Sequence, residues 1–446
     1  MFTYRALAAL SLFLVLCAHD AQAWRIWPFG RKQLDPLPAT PTTIEAPGAQ
    51  KGLQPTEHKA EDTVSLERLK MLANKNKNPE AQLALGRMYY EGIGGVQQDF
   101  KAAADLFYEA AKSGSGRAVY NYGLCLTLGR GVAKDEDKGL EWFVRAAKMG
   151  VPQAQRQAGL ILESRQDYEQ AFGFFRAQAD AGELWAIHKV ATYLQQGLGT
   201  EADPAAAAAY LEAGARRGDP RCQVRLADCY EQGFGVPVNY EEMFSWLYRA
   251  AHAEDPEAQA KVGYCFLRGQ GIARNTATAF KWFERSAAAG YGPAQVAMGN
   301  CYLLGAGVPQ DSAKSVECYR LAAEQDDPVG AFSLGVAYEM GRGVERNTSE
   351  ALRWFLRSAE KGYAPAQFNL GVMFEEGRAG APDLAKAVQW YQAAAKQGSP
   401  EANLTLGRFY LKGQGVPMDR KKARQYFDLA AESGSEEAKE EIKRHF

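Results

Sequence analysis

Residues 402–416 read ANLTLGRFYLKGQGV, where a Leu-Gly pair, an aromatic residue and a Gly-x-Gly-Val turn follow at fixed distances. The pattern Ala-x-x-x-Leu-Gly-x-x-Tyr-x-x-Gly-x-Gly-Val recurs about every 36 residues from Glu80 to the C-terminus. Its first glycine, here called the glycine slot, advances by 37, 36 and 32 residues and then by six steps of 36. The slot holds Gly86, Gly123, Gly159, Ala191, Ala227, Gly263, Gly299, Gly335, Gly371 and Gly407. A fixed period of about 20–50 residues indicates a stacked repeat array rather than a globular enzyme.

Each repeat is predicted to form two antiparallel helices. In the seventh repeat, Ala294, Met298 and Tyr302 follow one another at every fourth position, which places them on one helical stripe. Gly305 suits the left-handed backbone that ends a helix, and Asp311 suits the N-terminus of the next one. Neither helix can bury its apolar stripe alone, so the repeats must stack. The glycine slot should mark the closest approach of two helices, because a side chain there would hold them apart.

Together with a following Lys-Ala-x-x-Trp-Phe-x-x-Ala-Ala segment, the pattern closely resembles the Sel1-like repeat, a relative of the tetratricopeptide repeat. Residues 402–416 and 258–288 match it well. The resemblance covers about ten units between residues 80 and 435 and implies an all-α fold, an α-solenoid superhelix of about ten two-helix repeats. Units are expected to start near residues 80, 116, 152, 183, 219, 256, 292, 328, 364 and 400.

The chain is expected to have four parts. They are a signal peptide over 1–23, a Pro-rich disordered leader over 24–62, the solenoid over 63–434 and a capping helix over 435–446. The third repeat departs from the pattern, since residues 163–166 (Glu-Ser-Arg-Gln) replace the glycine turn and its step is four residues short. We expect a tighter turn there and a local change of superhelical path.

The first 23 residues resemble a cleavable secretion signal. Arg5 is followed by an apolar run from Ala6 to Ala18, and the small residues Ala21 and Ala23 precede the expected cut. The alternative is a lipoprotein acylated at Cys17, but Leu16 occupies a position where the lipobox pattern requires a small residue. No later segment is apolar enough to span a bilayer. The protein is therefore expected in the periplasm or outside the cell.

Composition and motifs favour a protein without catalytic, cofactor or metal residues. The formal net charge of −1 gives no basic excess to hold nucleic acid. His188 occupies a slot that is apolar in other repeats, such as Leu83 and Val224, so it is predicted to be a packing residue. The run from Asp135 to Asp137 could be a cation site or a solvated loop. The recurring tryptophans could bind sugars, but their once-per-repeat helical spacing favours core packing. They are Trp142, Trp246, Trp282, Trp354 and Trp390.

Six cysteines lie beyond the expected signal peptide. Four of them, Cys125, Cys229, Cys265 and Cys301, share the position two residues after the glycine slot. Equivalent positions on neighbouring helices should lie about 8–10 Å apart, whereas a disulfide tolerates at most about 7 Å between Cα atoms. Paired cysteines that bridge each repeat in some secreted relatives are missing, so the six thiols are expected to be buried and reduced.

One face of the first helix in each repeat should bind partners. Positions −6, −2, +1 and +5 from the glycine slot cluster opposite the apolar stripe and should line the concave surface of a superhelix. This set is here called the first-helix stripe. It is basic with two aromatic residues in repeats four to six and apolar in repeats seven and eight, although Leu304 and Val336 could instead pack against a neighbouring helix. The predicted binding residues are Trp185, Lys189, Arg221, Arg225, Lys261, Tyr264, Arg268, Asn300, Leu304, Val336 and Met340.

The leading hypothesis is a non-catalytic, exported scaffold that binds protein partners on this stripe, as the resemblance implies. The partner would be an extended segment with an acidic part and an apolar part. Glutamate at positions 225 and 268 should then weaken binding and leave thermal stability nearly unchanged. One alternative is the binding of cell-wall glycan or peptidoglycan fragments through Trp185 and Tyr264. A second is a penicillin-hydrolase-like enzyme, although no Ser-x-x-Lys with supporting motifs is present.

Overall fold

The computed structural model describes residues 59–446 apart from 76 and 379, and every regular element in that part is an α-helix. The predicted signal peptide and almost all of the predicted leader lie outside the described residues. The helices are α1 Lys59–Asn74, α2 Pro79–Glu91, α3 Phe100–Lys112, α4 Gly116–Leu128, α5 Glu136–Lys148, α6 Pro152–Ser164, α7 Tyr168–Asp180, α8 Leu184–Gln196, α9 Pro204–Arg216, α10 Pro220–Gln232, α11 Tyr240–His252, α12 Pro256–Arg268, α13 Thr276–Ala288, α14 Gly292–Leu304, α15 Ser312–Glu324, α16 Pro328–Met340, α17 Thr348–Glu360, α18 Ala364–Glu375, α19 Leu384–Lys396, α20 Pro400–Lys412, α21 Arg420–Glu432 and α22 Glu436–His445.

Local sequence explains where each helix begins and ends. In the sixth repeat the Asp255 carboxylate accepts a hydrogen bond from the backbone N–H of Ala258 at 2.8 Å, and Pro256 occupies the first turn, where no N–H is needed. The helix ends at Gly269, whose φ of 76° is left-handed. Asn275 then caps the second helix by accepting from the N–H of Thr278 at 3.0 Å. The predicted two-helix repeat is confirmed, and with it the all-α solenoid class.

The glycine slot is where the two helices of a repeat meet, as predicted. A Cβ atom at Gly123 would lie 2.9 Å from Cε1 of the buried Phe143 on the second helix. A second glycine has a role between repeats. Gly307, in the turn of the seventh repeat, has φ 76°, and a side chain there would collide with the backbone carbonyl of Thr276 in the preceding repeat. Both glycines therefore allow a close contact with the helix packed against them, and neither indicates a ligand.

Buried glutamine amides link several repeats to the helix that precedes them. Gln259 on α12 donates to the carbonyl of Ala251 near the end of α11 at 3.3 Å, and equivalent bonds recur in other repeats. They join Gln82 to Ala73, Gln223 to Ala215, Gln295 to Ala287 and Gln367 to Ala359. Within the eighth repeat, Ser358 on α17 donates a bond of 2.6 Å to the carbonyl of Pro328 on α16. The glutamine bonds give carbonyls near the helix ends a donor from the next repeat, and those of Ala215, Ala251, Ala287 and Ala359 also accept a backbone N–H.

The short third repeat has the tighter turn that its sequence predicts. Only residues 165–167 separate α6 from α7, whereas residues 269–275 separate α12 from α13. Gln166 takes the positive φ of 63° that glycine supplies elsewhere. The chain divides into two compact units, one ending at Gln178 and one beginning at Ala179, and this division falls inside α7. The expected change of superhelical path remains a prediction.

The last helix, α22, packs on α21. Ser435 caps it by accepting from the N–H of Ala438 at 3.3 Å. Ala438 is buried against the core around Phe427, and the outward residues of α22 are mostly charged. The capping role expected for residues 435–446 remains a prediction.

Candidate interaction surface

The eleven predicted binding residues all lie on first helices of the second compact unit, on α8, α10, α12, α14 and α16. Some neighbouring first helices are in direct contact: α10 contacts α12, and α14 contacts α16. Arg221 and Leu304 are exposed, Val336 is buried, and the other eight residues are half-buried. The stripe is therefore a partly enclosed surface along which side chains of successive repeats reach one another.

Arg225 is a tie between two repeats rather than an open basic group. Its guanidinium on α10 donates to the carbonyl oxygen of His188 at 3.0 Å and to Oγ1 of Thr192 at 3.1 Å, both on α8. It also donates to Oε1 of Gln195 at 2.7 Å. Burial lowers the pKa of Arg225 below its usual value. These contacts argue against the expectation that glutamate at this position leaves stability unchanged, because three acceptors would lose their donor and a carboxylate would be half-buried beside them.

Lys261 forms the next tie along the stripe. Its ammonium lies 2.6 Å from the Asp228 carboxylate on α10 and 3.2 Å from Glu257 on its own helix. Burial favours the neutral amine, but the two carboxylates outweigh it and raise the pKa of Lys261 above its usual value. Lys261 is therefore a charged, paired group, and its partners offset the basic character that sequence analysis assigned to this zone.

Aromatic and cationic side chains of the same zone are also engaged. The Tyr264 ring packs edge-on against the buried Phe283, with 4.9 Å between ring centroids. The Arg268 guanidinium lies 5.6 Å from the Tyr264 centroid. Trp185 and Lys189 are half-buried on α8. Much of the Tyr264 ring is thus used within the protein, which leaves less of it for stacking on a sugar.

The apolar zone separates into one exposed and one buried residue. Leu304, at the end of α14, is 52% exposed, whereas Val336 on α16 is 9% exposed and packs in the core. The sequence left open whether these two residues form an exposed binding surface or pack inside the protein. Leu304 is exposed, and Val336 is packed. Asn300 accepts a hydrogen bond from the Tyr319 hydroxyl at 2.6 Å, and Met340 is half-buried at the end of α16. Leu304 is therefore the residue through which this zone can offer apolar surface.

A set of acidic residues beside the stripe, four positions after the glycine slot, was not predicted. Glu231 is half-buried, and burial together with Asp228 raises its pKa against the opposing effect of Lys261 and Arg268. At the same position Glu339 accepts from the Arg378 guanidinium and Glu375 accepts from the Tyr391 hydroxyl at 2.6 Å. The recurrence of glutamate at one register position was visible in the sequence.

His188, predicted to be a packing residue, is half-buried and also belongs to a polar cluster. Its Nε2 lies 3.1 Å from Oδ1 of Asp219 and 3.5 Å from Sγ of Cys222. Asp219 also caps α10 by accepting from the Cys222 N–H at 2.7 Å. The residues come from two successive first helices and the cap before the second, so no short sequence motif contains them.

The cysteines and the acidic run behave as structural groups. The six cysteines of the described residues are buried and outside disulfides, in agreement with expectation. Burial raises the pKa of the Cys125 thiol to about 12. Asp135 caps α5 through the N–H of Lys138 and pairs with the Lys138 ammonium at 2.9 Å, and Asp137 pairs with Arg165 at 2.7 Å. Of the two readings of this run, the structure therefore favours a capped, solvated turn.

Stacked two-helix repeats with a partly enclosed face along their first helices define a repeat scaffold. The Sel1 repeat family matches ten consecutive segments, 79–115, 116–151, 152–183, 186–219, 220–255, 256–291, 292–327, 328–363, 364–399 and 400–435. The chain belongs to the Sel1 repeat family. Proteins of this family generally mediate protein–protein interactions and are typically non-catalytic scaffolds.

Solved structures of the same class are similar to the chain. A protective antigen with an SLR fold from uropathogenic Escherichia coli is 31% identical, with a TM-score of 0.58 over 84% of this chain and 80% of that one. A Sel1 repeat protein from Oxalobacter formigenes is 27% identical, with a TM-score of 0.50 over 76% of this chain and 89% of that one. Chitin synthase regulatory factor 3 of Schizosaccharomyces pombe is 33% identical over 87 residues, which are 20% of this chain and 9% of that protein. Among the described helices, none has the length and apolar character needed to cross a membrane.

Proposed function

We propose that this protein is a non-catalytic scaffold that binds an extended segment of a partner protein along the first-helix stripe of its second compact unit. The observation that carries the proposal is the exposure of Leu304 on a stripe whose other predicted members are mostly half-buried. Single exposed aliphatic residues are ordinary on protein surfaces, so what distinguishes Leu304 is its place on the same stripe as an exposed cation. Arg221, the other exposed member, supplies a cation on α10.

The spacing of these two residues specifies the partner further. One first helix, α12, separates α10 from α14 in the repeat order. Packed helices lie about 8–10 Å apart, so the two residues belong to helices roughly 16–20 Å apart. Arg221 lies in the first turn of its helix and Leu304 at the last position of its helix, which adds an offset of about 16 Å along the helix axis. The two residues are therefore about 23–26 Å apart. Because an extended chain advances about 3.3 Å per residue, a bound segment would place its acidic and apolar side chains about seven or eight residues apart. The ion pair between Lys261 and Asp228 links α12 to α10 between the two contacts.

Binding of synthetic peptides to the full chain tests this proposal. A peptide with glutamate and leucine seven residues apart should bind, and the same composition with the two residues adjacent should bind at least about tenfold more weakly. Leu304→Asp and Arg221→Glu should each reduce binding of the first peptide. Met418→Asp and Lys421→Glu are matched controls, because Met418 is 69% exposed, Lys421 is exposed, and neither is on the stripe. Equal binding of both peptides, or equal loss in the control variants, would contradict the assignment.

We also propose export to the periplasm or beyond the cell. The support is the sequence of residues 1–23, with Arg5, the apolar run that follows it and the small residues Ala21 and Ala23. Mass spectrometry of the N-terminal peptide of protein recovered from its native cells should find a chain that begins at Trp24. Recovery of the uncleaved N-terminus in the cytoplasm would contradict export and would leave the binding proposal standing.

A further inference from the structure

The first helices of repeats four and five bring three metal-ligating side chains to one point. His188 lies in the middle of α8, Asp219 caps α10, and Cys222 lies in the first turn of α10. One atom of each, an imidazole nitrogen, a carboxylate oxygen and a thiol sulfur, lies within 4.8 Å of the other two. Imidazole, thiolate and carboxylate are the ligand set that zinc takes in proteins.

The distances between these atoms fit a tetrahedral ion. With bonds of about 2.0–2.1 Å to nitrogen and oxygen and about 2.3 Å to sulfur, a tetrahedron has a nitrogen–oxygen edge of about 3.4 Å and a nitrogen–sulfur edge of about 3.6 Å. The corresponding distances are 3.1 Å from His188 Nε2 to Asp219 Oδ1 and 3.5 Å from His188 Nε2 to Cys222 Sγ. An ion could therefore be held with shifts of a few tenths of an ångström.

The surroundings hold these side chains in place and leave one direction open. Asp219 is fixed by the bond it accepts from the Cys222 N–H, and Cys222 is fully buried. A side chain at Gly214 would collide with the Cys222 sulfur, so glycine there leaves room for it. The His188 and Asp219 side chains are 20% and 16% exposed, so one side of the cluster faces solvent. A water molecule can complete a fourth position from that side.

The charge balance suits a divalent ion. On binding, M²⁺ replaces the thiol proton of Cys222, which passes to solvent, and the ion is held by one thiolate, one carboxylate and one neutral imidazole. Two ligand charges of −1 neutralise the charge of +2, so Arg221 and Arg225 nearby face a site without net charge. A thiolate together with an imidazole selects a borderline transition ion over magnesium or calcium, which prefer oxygen ligands.

We propose that His188, Asp219 and Cys222 bind one divalent transition-metal ion of the zinc class and that this ion fastens repeat four to repeat five. The ligands come from α8 and from the start of α10, so the ion would close a link between two repeats. An ion that binds only the folded chain raises the stability of that pair of repeats by mass action. The site lies beside Arg225, whose carbonyl partner is His188 itself.

Titration of the reduced, metal-free full chain with Zn²⁺ and with Co²⁺ tests the proposal, in a Cys17→Ser background because Cys17 and His19 are a thiol and an imidazole two residues apart. One Zn²⁺ should bind per chain and raise the thermal midpoint. Co²⁺ should produce the near-ultraviolet charge-transfer band of a thiolate ligand. His188→Gln and Cys222→Ala should each lower Zn²⁺ affinity at least about tenfold, since even a residue that only orients a ligand costs 10–100-fold. Cys265→Ala, which removes a buried thiol elsewhere, should leave affinity and band unchanged.

Two outcomes would overturn the proposal. If the folded wild-type chain binds no Zn²⁺ and shows no charge-transfer band, the cluster is only a hydrogen-bonded helix cap. If His188→Gln and Cys222→Ala bind Zn²⁺ as the wild-type chain does, the ion lies elsewhere. Circular dichroism of each variant establishes that it is folded, and the Co²⁺ band of the wild-type chain gives an answer that depends on no variant.

Discussion

Gly263 and Phe283 are packed so closely that a Cβ atom on Gly263 would lie 2.6 Å from Cε1 of the Phe283 ring. The two residues are twenty positions apart and belong to the two helices of the sixth repeat. The same position pairs glycine with Phe143, Tyr319, Phe355, Tyr391 and Phe427 in other repeats. Where the slot is Ala191 or Ala227, the residue twenty positions later is Leu211 or Leu247, and both leucines are buried. A smaller partner thus accompanies the larger slot residue.

Gly263→Ala should destabilise the sixth repeat, and Phe283→Leu should relieve part of that loss. Overpacking a core costs about 1–3 kcal/mol, and alanine returns about 1 kcal/mol of helix propensity, so the net loss should be up to about 2 kcal/mol. The double variant recreates the combination found at Ala227 and Leu247. Urea unfolding of the wild type, both single variants and the double variant measures the coupling. Additive losses would show that the two positions are independent.

The spacing of the repeat predicted most of the fold because each helix has its own start and stop residues. Asp255 caps the start of α12 and Gly269 caps its end, so the bounds of this helix can be read from its own sequence without knowledge of other repeats. The pairing of Gly263 with Phe283 was also readable, since it follows from a constant spacing. The tighter turn after Ser164 followed from a four-residue deletion.

The interaction surface was harder to predict because it depends on how neighbouring repeats meet. Arg225 and His188 are 37 positions apart, and Lys261 and Asp228 are 33 apart, each close to one period. The period brings such residues to neighbouring helices. Whether their side chains then face solvent or each other depends on the angle between those helices, which the period does not contain. Leu304 and Val336 occupy different positions, five residues and one residue after the glycine slot, and Leu304 is the last residue of its helix.

Gln259→Ala should weaken the junction between repeats five and six. The variant removes one of two donors to the Ala251 carbonyl, which keeps its bond from the Glu254 N–H, so the loss should be about 0.5–1.5 kcal/mol. Amide hydrogen exchange should show the gain in opening mainly in α11 and α12. Gln389→Ala, an exposed position in the middle of α19, is the matched control and should change stability by less than about 0.5 kcal/mol. Equal effects of the two variants would mean that the hydrogen bond of the buried amide does not contribute to stability.

Glu231 should make stability fall as pH rises through the acidic range. Burial raises the pKa of Glu231 above its usual value, so the folded chain holds its proton at pH values where the unfolded chain has lost it. The folded state then binds more protons than the unfolded state, and the free energy of unfolding decreases with pH from about 4.5 up to the raised pKa. Glu231→Gln should remove this component of the pH dependence. Thermal melts of both chains across that range measure it, and parallel curves would contradict the shift.

The buried thiols should react slowly while the protein is folded. Burial raises the pKa of Cys265 and Cys301 to about 12, so very little reactive thiolate exists at neutral pH. Iodoacetamide at pH 7.5 followed by peptide mass spectrometry should leave both residues largely unmodified in the native protein. Both should become modified in urea without any reductant, because neither is in a disulfide. Modification in urea that required a reductant would show that they are oxidised.

Glutamate substitutions at Arg225 and Arg221 should have different effects, the first mainly on stability and the second mainly on peptide binding. Arg225→Glu should lower the thermal midpoint clearly, because it removes the donor for three acceptors on α8 and places a carboxylate among them, a loss of several kcal/mol. Arg221→Glu changes an exposed side chain on the same helix by the same charge, so its midpoint should stay within about 1 °C of the wild type while peptide binding falls. Differential scanning calorimetry of the two variants compares them directly. Equal midpoints would mean that the contacts of Arg225 with α8 contribute nothing, and the stripe would then be an open basic surface, as its sequence alone indicated.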